Sequence, residues 1–530
     1  MAGLLETLHT VRILGGSGVL RPMAPSKFVR TAGLMRAWGP SPAAGFAASA
    51  IRNPERTAII DEAGALTFRE VHERSNALAR ALGTCGVEPG HSVGMMCRNH
   101  RWFIDAVIAC AKLGAHVILM NTMFSGPQLV EVAKREGVKA LIYDPEFAEL
   151  LAGLPDMPRF ATGSLSEAAD DMSLERLLGE STRDDLAPPR QAPRTVILTS
   201  GTTGTPKGAQ RRPPASLQPA AALLSTIPLG ADERTLVAAP LFHSWGLAHF
   251  NLGLLLRSTY VLRRRFDPEA TLRTLCDEDC SALVVVPVMM QRMLRLPDEV
   301  KRRYRPARLR VTAVSGSALP GELATEWMDT FGDNLYNLYG STEVAWASIA
   351  TPQDLRAAPG TAGRVPYGTR VRVVDPDGRD LPPHETGRIF VGNEMAFEGY
   401  TGGGNKAQLG GLLSSGDVGH FDEAGRLFID GRDDEMIISG GENVFPREVE
   451  DLIAAHPAAE EVAVIGVPDP EWGQRLKAFV VLTAGQSWSE QDIKAHVKTN
   501  LASYKVPREV AFMDQLPRNA TGKILKRELA

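Results

Sequence analysis

From about residue 55 onward, short β-branched runs alternate with stretches whose apolar positions recur every three or four residues. The runs Val93–Met96, His116–Met120 and Ala140–Tyr143 flank the amphipathic segments Trp102–Leu113 and Gln128–Glu136. That βαβαβ rhythm predicts a parallel sheet. It returns at Thr195–Thr199, Leu236–Ala239, Leu283–Val286 and Val311–Val314, so a second parallel half is expected. Residues 360–430 change character. Alternating strands such as Val371–Val374 and Arg388–Val391 surround the turn Asp375-Pro-Asp-Gly378 and predict a β-rich subdomain. Residues 433–530 read as a separate small α/β unit.

Composition narrows the class without changing this picture. With 44% hydrophobic and 23% charged residues over 530 positions, the chain can bury a core, and disordered or fibrous classes are excluded. A net charge of −4 gives no field that would gather nucleic acid. Five cysteines cannot form a disulfide framework, and Cys276 and Cys280 lack the second ligand pair of a zinc site, so reduced thiols and a cytoplasmic setting are expected. The apolar stretch Ala282–Met290 is broken by Pro287 and falls far short of the ~20 residues of a membrane span. Residues 1–40 carry Arg12, Arg21, Lys27, Arg30 and Arg36 against a single acid, Glu6. Three readings stay open for this leader: a plain surface segment, a membrane-surface helix giving peripheral membrane contact, or an organelle-targeting peptide.

The densest chemical signal is Thr199-Ser-Gly-Thr-Thr-Gly-Thr-Pro-Lys-Gly208, directly after an apolar strand. Small residues let a backbone close around an anion, hydroxyls and N–H groups donate to phosphate oxygens, and Lys207 adds charge. It is not a Walker A loop, because Lys207 is followed by Gly208 instead of Ser or Thr. The bland alternative is a Ser/Thr/Gly surface loop.

Five further motifs follow in order: Pro240-Leu-Phe-His-Ser-Trp-Gly246, Tyr339-Gly-Ser-Thr-Glu343, Ser415-Gly-Asp417, Gly431-Arg432 and Gly522-Lys523. With the glycine-rich loop, they make residues 50–530 resemble the adenylate-forming superfamily. Gly440-Gly-Glu-Asn-Val-Phe-Pro446 and Ser503-Tyr-Lys-Val-Pro507 resemble its acyl-CoA synthetase branch, the fatty-acid–CoA ligases. The resemblance implies an α/β fold, with a large adenylation domain over 46–432 after the leader 1–45. That domain would hold two parallel-sheet α/β subdomains plus the β-rich one, followed by a small mobile α+β domain over 433–530.

The resemblance also implies roles. Thr199, Ser200, Gly201, Thr202, Thr203, Gly204 and Lys207 would hold the ATP phosphates. Gly316, Ser317 and Ala318 would lie on one adenine face and Tyr339 on the other, with Gly340, Ser341 and Thr342 beside them. Asp417 would accept from the ribose hydroxyls, assisted by Arg432. Glu343 and Thr202 would be the magnesium ligands and, with Lys523, the catalytic set. Asp434 would be the hinge, while Gly440, Gly441 and Lys505 would serve the CoA step. Two positions depart from the pattern: Ser415 stands where many relatives have Thr, and Ile438 where many have Lys or Asn.

The implied acyl pocket is lined by His243, Trp245, Val288, Met289 and Gly316, with no carboxylate or lysine to pair a substrate amine. An apolar acid is therefore expected, a medium- or long-chain fatty or arylalkanoic one, with Trp245 either gating a tunnel or belonging to the core. The acid would form an acyl-adenylate with ATP, releasing pyrophosphate, and the CoA thiol would then displace AMP. Two alternatives stay open: transfer to a carrier protein or a nitrogen nucleophile, and a nucleotide-binding scaffold without turnover. A monomer or homodimer is expected.

Overall fold

Both parallel sheets lie where the apolar rhythm predicts them. The computed structural model describes residues 2–39, 41–163, 172–198, 207–211, 216–395, 397–401, 403–439, 442–469, 473–519 and 522–529. The chain divides into two units, residues 1–314 with 394–405, and residues 315–393 with 406–530.

In the first unit one sheet runs in the order Phe397–Tyr400, Gly208–Arg211, Thr195–Leu198, His116–Leu119, Ser92–Met96, Val138–Tyr143, Arg159–Ala161, Met172–Ser173. It is parallel from Thr195–Leu198 onward and antiparallel at the first two joins. Helices Arg101–Leu113 and Gly126–Arg135 make the crossovers. Val132 and Leu129 of the second helix bury completely against Leu141 and Ile118 of the sheet, each contributing about 1.5–3 kcal/mol. The other sheet runs Val311–Val314, Ala282–Val285, Arg234–Val237, Thr259–Leu262, Thr57–Asp61, Gly64–Thr67, parallel except for its last hairpin.

One buried amide joins the two sheets. Asn99, in the turn after Ser92–Met96, donates to the carbonyls of Val237 (3.1 Å) and Ala239 (2.9 Å) and accepts from the N–H of Leu241 at 2.8 Å. It thereby fixes the exit of strand Arg234–Val237, from which the Pro240–Gly246 motif begins.

The leader is built onto this unit. Residues Ala2–Gly16 and Pro25–Trp38 are helices, Leu14 and Val19 are buried, and Arg257 donates to the Gly18 carbonyl at 3.0 Å. Arg21 pairs with Asp232 at 2.7 Å. Among the described residues no helix is long and apolar enough to cross a membrane, and all five cysteines are free.

The second unit contains the expected β-rich part, an antiparallel sheet of Arg370–Val374, Gly387–Gly392, Leu412–Phe421 and Gln408–Leu409, with Leu427–Arg432 pairing Leu412–Phe421. Asp375–Gly378 is its hairpin turn, closed by Gly378 N–H to the Asp375 carbonyl at 3.1 Å. Beyond it, strands Ile437–Ser439, Glu442–Val444, Ala459–Asp469, Gly473–Leu482 and Glu509–Phe512 form a sheet. Helices Pro446–Ala454 and Glu490–Asn500 cover it through Val449, Ile453, Ile493 and Val497, the small α+β body that residues 433–530 predict.

A buried polar triad ends strand Val138–Tyr143. Asp144 accepts from His100 Nε2 (2.7 Å), Thr162 Oγ1 (2.6 Å) and the Arg98 N–H (3.0 Å). Because His100 Nδ1 accepts from the Phe103 N–H at 3.2 Å, the ring carries its proton on Nε2. Burial opposes ionisation of Asp144, but these donors outweigh it, and its pKa falls to about 2. The folded-state pKa is depressed, so its stabilising contribution is present above the ordinary carboxylate range and is lost as pH falls through about 2. Asp144→Ala, which strands three buried donors, is expected to cost about 3 kcal/mol or more in denaturant unfolding at neutral pH.

Candidate nucleotide and acyl site

Thr199, Ser200, Gly201, Thr202, Thr203 and Gly204 of the glycine-rich loop lie outside the described residues, as do Gly440 and Gly441. The end of the loop is described. Lys207 Nζ lies 5.5 Å from the centroid of the Tyr400 ring. Gly208 is clasped by Thr401, whose Oγ1 accepts from the Gly208 N–H at 3.0 Å and donates to Glu136 Oε1 at 2.7 Å. Tyr400, Thr401 and Glu136 thus anchor the loop's exit, and nothing in their local sequence signals it.

The residues of the first unit that the sequence suggests for an acyl pocket sit on two helix starts. His243 precedes helix Ser244–Leu256, and Pro287 opens helix Pro287–Leu294, which carries Val288 and Met289. Gly246 is obligatory here, since a Cβ would lie 2.3 Å from the Pro240 carbonyl oxygen. Trp245 is buried. Its indole N–H donates to the Val285 carbonyl at 3.0 Å, and its ring meets His249 edge-on at 4.4 Å. The indole is tied to the sheet. His243 and His249 each bury an Nε2 without a hydrogen-bond partner, and burial lowers their pKa values to about 4 and about 3. Both rings are neutral at pH 7, and among the described residues no group of three or more His, Cys, Asp or Glu side chains could hold a metal ion.

The second unit gathers the polar residues. Gly316, Ser317 and Ala318 follow strand Val311–Val314 in the chain, within an open turn. Tyr339 ends strand Leu335–Tyr339 and donates its hydroxyl to Asp417 Oδ2 at 2.5 Å. Next in sequence, Gly340 admits the Ala345 carbonyl, which would lie 2.1 Å from a Cβ. Ser341 Oγ then donates to Glu343 Oε2 at 2.9 Å and accepts from the Glu343 N–H at 3.2 Å, fixing that carboxylate, with Thr342 between them.

Asp417 stands opposite Arg432 in antiparallel register, and Ser415 Oγ accepts from its N–H at 3.1 Å. Arg432 Nη1 lies 3.5 Å from Asp417 Oδ1, while Nε and Nη2 grip Asp434 at 2.9 and 3.2 Å. Burial raises the Asp417 pKa above its ordinary value; the Tyr339 hydroxyl and the positive charges of Arg432, Lys523 and Lys406 pull it down. Lys523 therefore belongs to the same electrostatic cluster. Its tight turn is set by Asn519, whose Oδ1 accepts from the Lys523 N–H at 2.9 Å and whose carbonyl accepts from the Gly522 N–H at 2.8 Å.

Two lysines have partners of their own. Lys505 pairs with Glu448, and Lys526 bridges Glu435 at 3.1 Å and Glu450 at 2.9 Å. The second clasp starts one residue beyond Asp434 and is a contact the local motifs do not signal.

The chain belongs to the AMP-binding enzyme family: the model of that family matches residues 46–401, and the model of its C-terminal domain matches 448–523. With its similarity to CoA ligases, the family match makes the chain an AMP-forming acid–thiol ligase that works through an acyl-adenylate. The chain is 36% identical over 487 residues to a feruloyl-CoA synthase of Amycolatopsis sp, covering 90% of this chain and 96% of that one. It is 30% identical over 491 residues to the fatty acid–[acyl-carrier-protein] ligase ScoC of Streptomyces coeruleorubidus, covering 90% and 93%. Among solved structures it resembles the amide bond synthetase McbA from Marinactinospora thermotolerans, with TM-score 0.80, 25% identity and coverage of 93% and 99%.

Tyr339→Phe removes the neutral donor from buried Asp417, so its pKa moves further up and more of it is protonated at a given pH. The acid limb of the kcat/KM profile for ATP in pyrophosphate release is expected to shift to higher pH, with little change on the alkaline side.

Proposed function

We propose that the chain activates an apolar carboxylic acid, arylalkanoic or medium- to long-chain fatty, and transfers it to CoA. The observation that supports this reading is the chemistry of the residues expected at the acyl pocket, since His243, Trp245, Val288 and Met289 carry no charge. Burial keeps His243 uncharged, and Trp245 turns its only polar atom into the sheet. A charged substituent there would go unpaired, a cost of several kcal/mol. Because the indole is hydrogen-bonded to Val285, Trp245 acts as a fixed wall in this reading, not as a gate.

The polar cluster supports the first half-reaction. Asp417 accepts from the ribose hydroxyls, Tyr339 and the turn Gly316–Ala318 hold the adenine, and Lys207 and the glycine-rich loop hold the phosphates. Lys523 stabilises negative charge on the carboxylate and α-phosphate as the acid attacks. Glu343, oriented by Ser341, offers a hard carboxylate oxygen and fits a magnesium ion, with Thr202 as the expected second donor. When bound, that ion would neutralise phosphate charge. For the second half-reaction the domain 433–530 turns about Asp434, which requires Arg432 to release its two-pronged grip, and brings Gly440, Gly441 and Lys505 to CoA.

A second reading, transfer to a carrier-protein thiol or an amine, draws support from the similarity to ScoC and McbA. One assay separates the two: pyrophosphate release across a panel of acids, with and without CoA, and product detection by mass. Acyl-CoA from apolar acids is the expected result, with kcat/KM rising up to about fourfold per added methylene until the pocket is filled. Preference for short or charged acids would sink the apolar-acid reading, and adenylate formation without a CoA adduct would move the acceptor to the second one.

Lys523→Ala is expected to lower adenylate formation by about 10² or more while sparing thioester formation from supplied acyl-adenylate. Equal losses in both half-reactions would exclude a role confined to the first.

A further inference from the structure

No side chain of helix Pro25–Trp38 is fully buried: Lys27, Thr31, Leu34 and Trp38 are half-buried along one face, and the other positions with large side chains are exposed. It is tied to the body by Lys27 Nζ, which donates to the Arg52 carbonyl at 2.7 Å. The half-buried face packs toward helix Pro42–Arg52, which leaves the opposite face open. That face is apolar: Phe28 is 60% exposed, Val29 69% and Met35 40%, with half-buried Trp38 at its end. The preceding segment adds Leu8, Val11 and Leu20, also exposed. Elsewhere among the described residues, exposed large apolar side chains are scattered singly, at Met123, Leu217, Tyr504 and Phe512.

Charge identifies what this surface fits. Between Glu6 and Glu55 the chain has no acidic residue, while Arg12, Arg30 and Arg36 are exposed beside the apolar side chains. Basic side chains continue onto the neighbouring edge, where Arg308 also pairs with Asp279 at 3.7 Å. The turn Asp232-Glu233 takes Arg21 on Asp232 and Arg310 on Glu233, which links the leader to a segment carrying exposed Arg302, Arg303, Arg305 and Arg308. Cations interleaved with apolar side chains on one helix, next to a basic edge, match a layer that is anionic above and apolar below.

We propose that helices Ala2–Gly16 and Pro25–Trp38 form a docking element for anionic phospholipid bilayers. Phe28, Val29 and Met35 enter the acyl boundary, and Arg12, Arg30 and Arg36 meet the headgroup phosphates. The element lies at the amino-terminal edge of the sheet containing Arg234–Val237, since the Ala231 N–H donates to the Ser17 carbonyl at 2.8 Å. The motif Pro240–Gly246 leaves the opposite end of that strand. Docking therefore leaves the acyl-wall edge uncovered and does not depend on which acid is used.

The test is flotation of the full chain with phosphatidylglycerol-containing vesicles and with neutral phosphatidylcholine vesicles. Binding to the anionic vesicles that weakens with salt is expected. Arg30→Glu with Arg36→Glu should lower it more than tenfold, at about fivefold for each cation lost near the surface. Phe28→Asp with Val29→Asp should abolish it. Because the four substituted side chains are all exposed, both double variants should keep the parent Tm and the parent turnover of a water-soluble acid. No flotation, equal binding to neutral vesicles, or variants that float like the parent would overturn the proposal. So would a lowered Tm, which would mean the face is packed in the protein, or a dimer that Phe28→Asp with Val29→Asp splits without affecting vesicle binding.

Discussion

A carboxylate buried as deeply as Asp417 must be met by donors and cations, and the second unit is arranged around that requirement. Tyr339 reaches it from the end of one strand, Arg432 from the paired strand, and Lys523 and Lys406 from two further segments. The strand register that sets Asp417 against Arg432 also places Arg432 within reach of Asp434. A single slip in that register would move the side chain to the other face of the sheet and leave an uncompensated charge.

The helix starts that carry His243, Trp245, Val288 and Met289 follow the opposite rule. There burial meets titratable rings that give up their charge, as the lowered pKa values of His243 and His249 record. The two regions differ in chemistry: one gathers donors and cations around a carboxylate, and the other holds neutral rings.

Much of this was legible along the chain because it rests on local signals. The strands His116–Leu119 and Val311–Val314 announce themselves by β-branched residues, and the turn Asp375–Gly378 by its composition. Tyr339, Glu343, Asp417 and Lys523 stand in motifs dense with small residues. What stayed hidden depends on partners far apart in sequence: Thr401 with Glu136, Lys526 with Glu435 and Glu450, and Asn99 with the turn at Ala239. The basic, apolar character of residues 1–40 was plain, but its docking through Arg21 and Gly18 needed Asp232 and Arg257, which no local pattern connects to it.

Asn99 has a consequence for exchanging pockets between related chains. Its amide supplies two donors and one acceptor to a backbone stretch about 140 positions away, a combination that Asp cannot provide and that Gln would offer from the wrong distance. The segment Pro240–Gly246 and the turn holding Asn99 are therefore one heritable module split across the chain. A recombination breakpoint between them keeps the pocket's side chains yet separates them from the residue that sets their backbone.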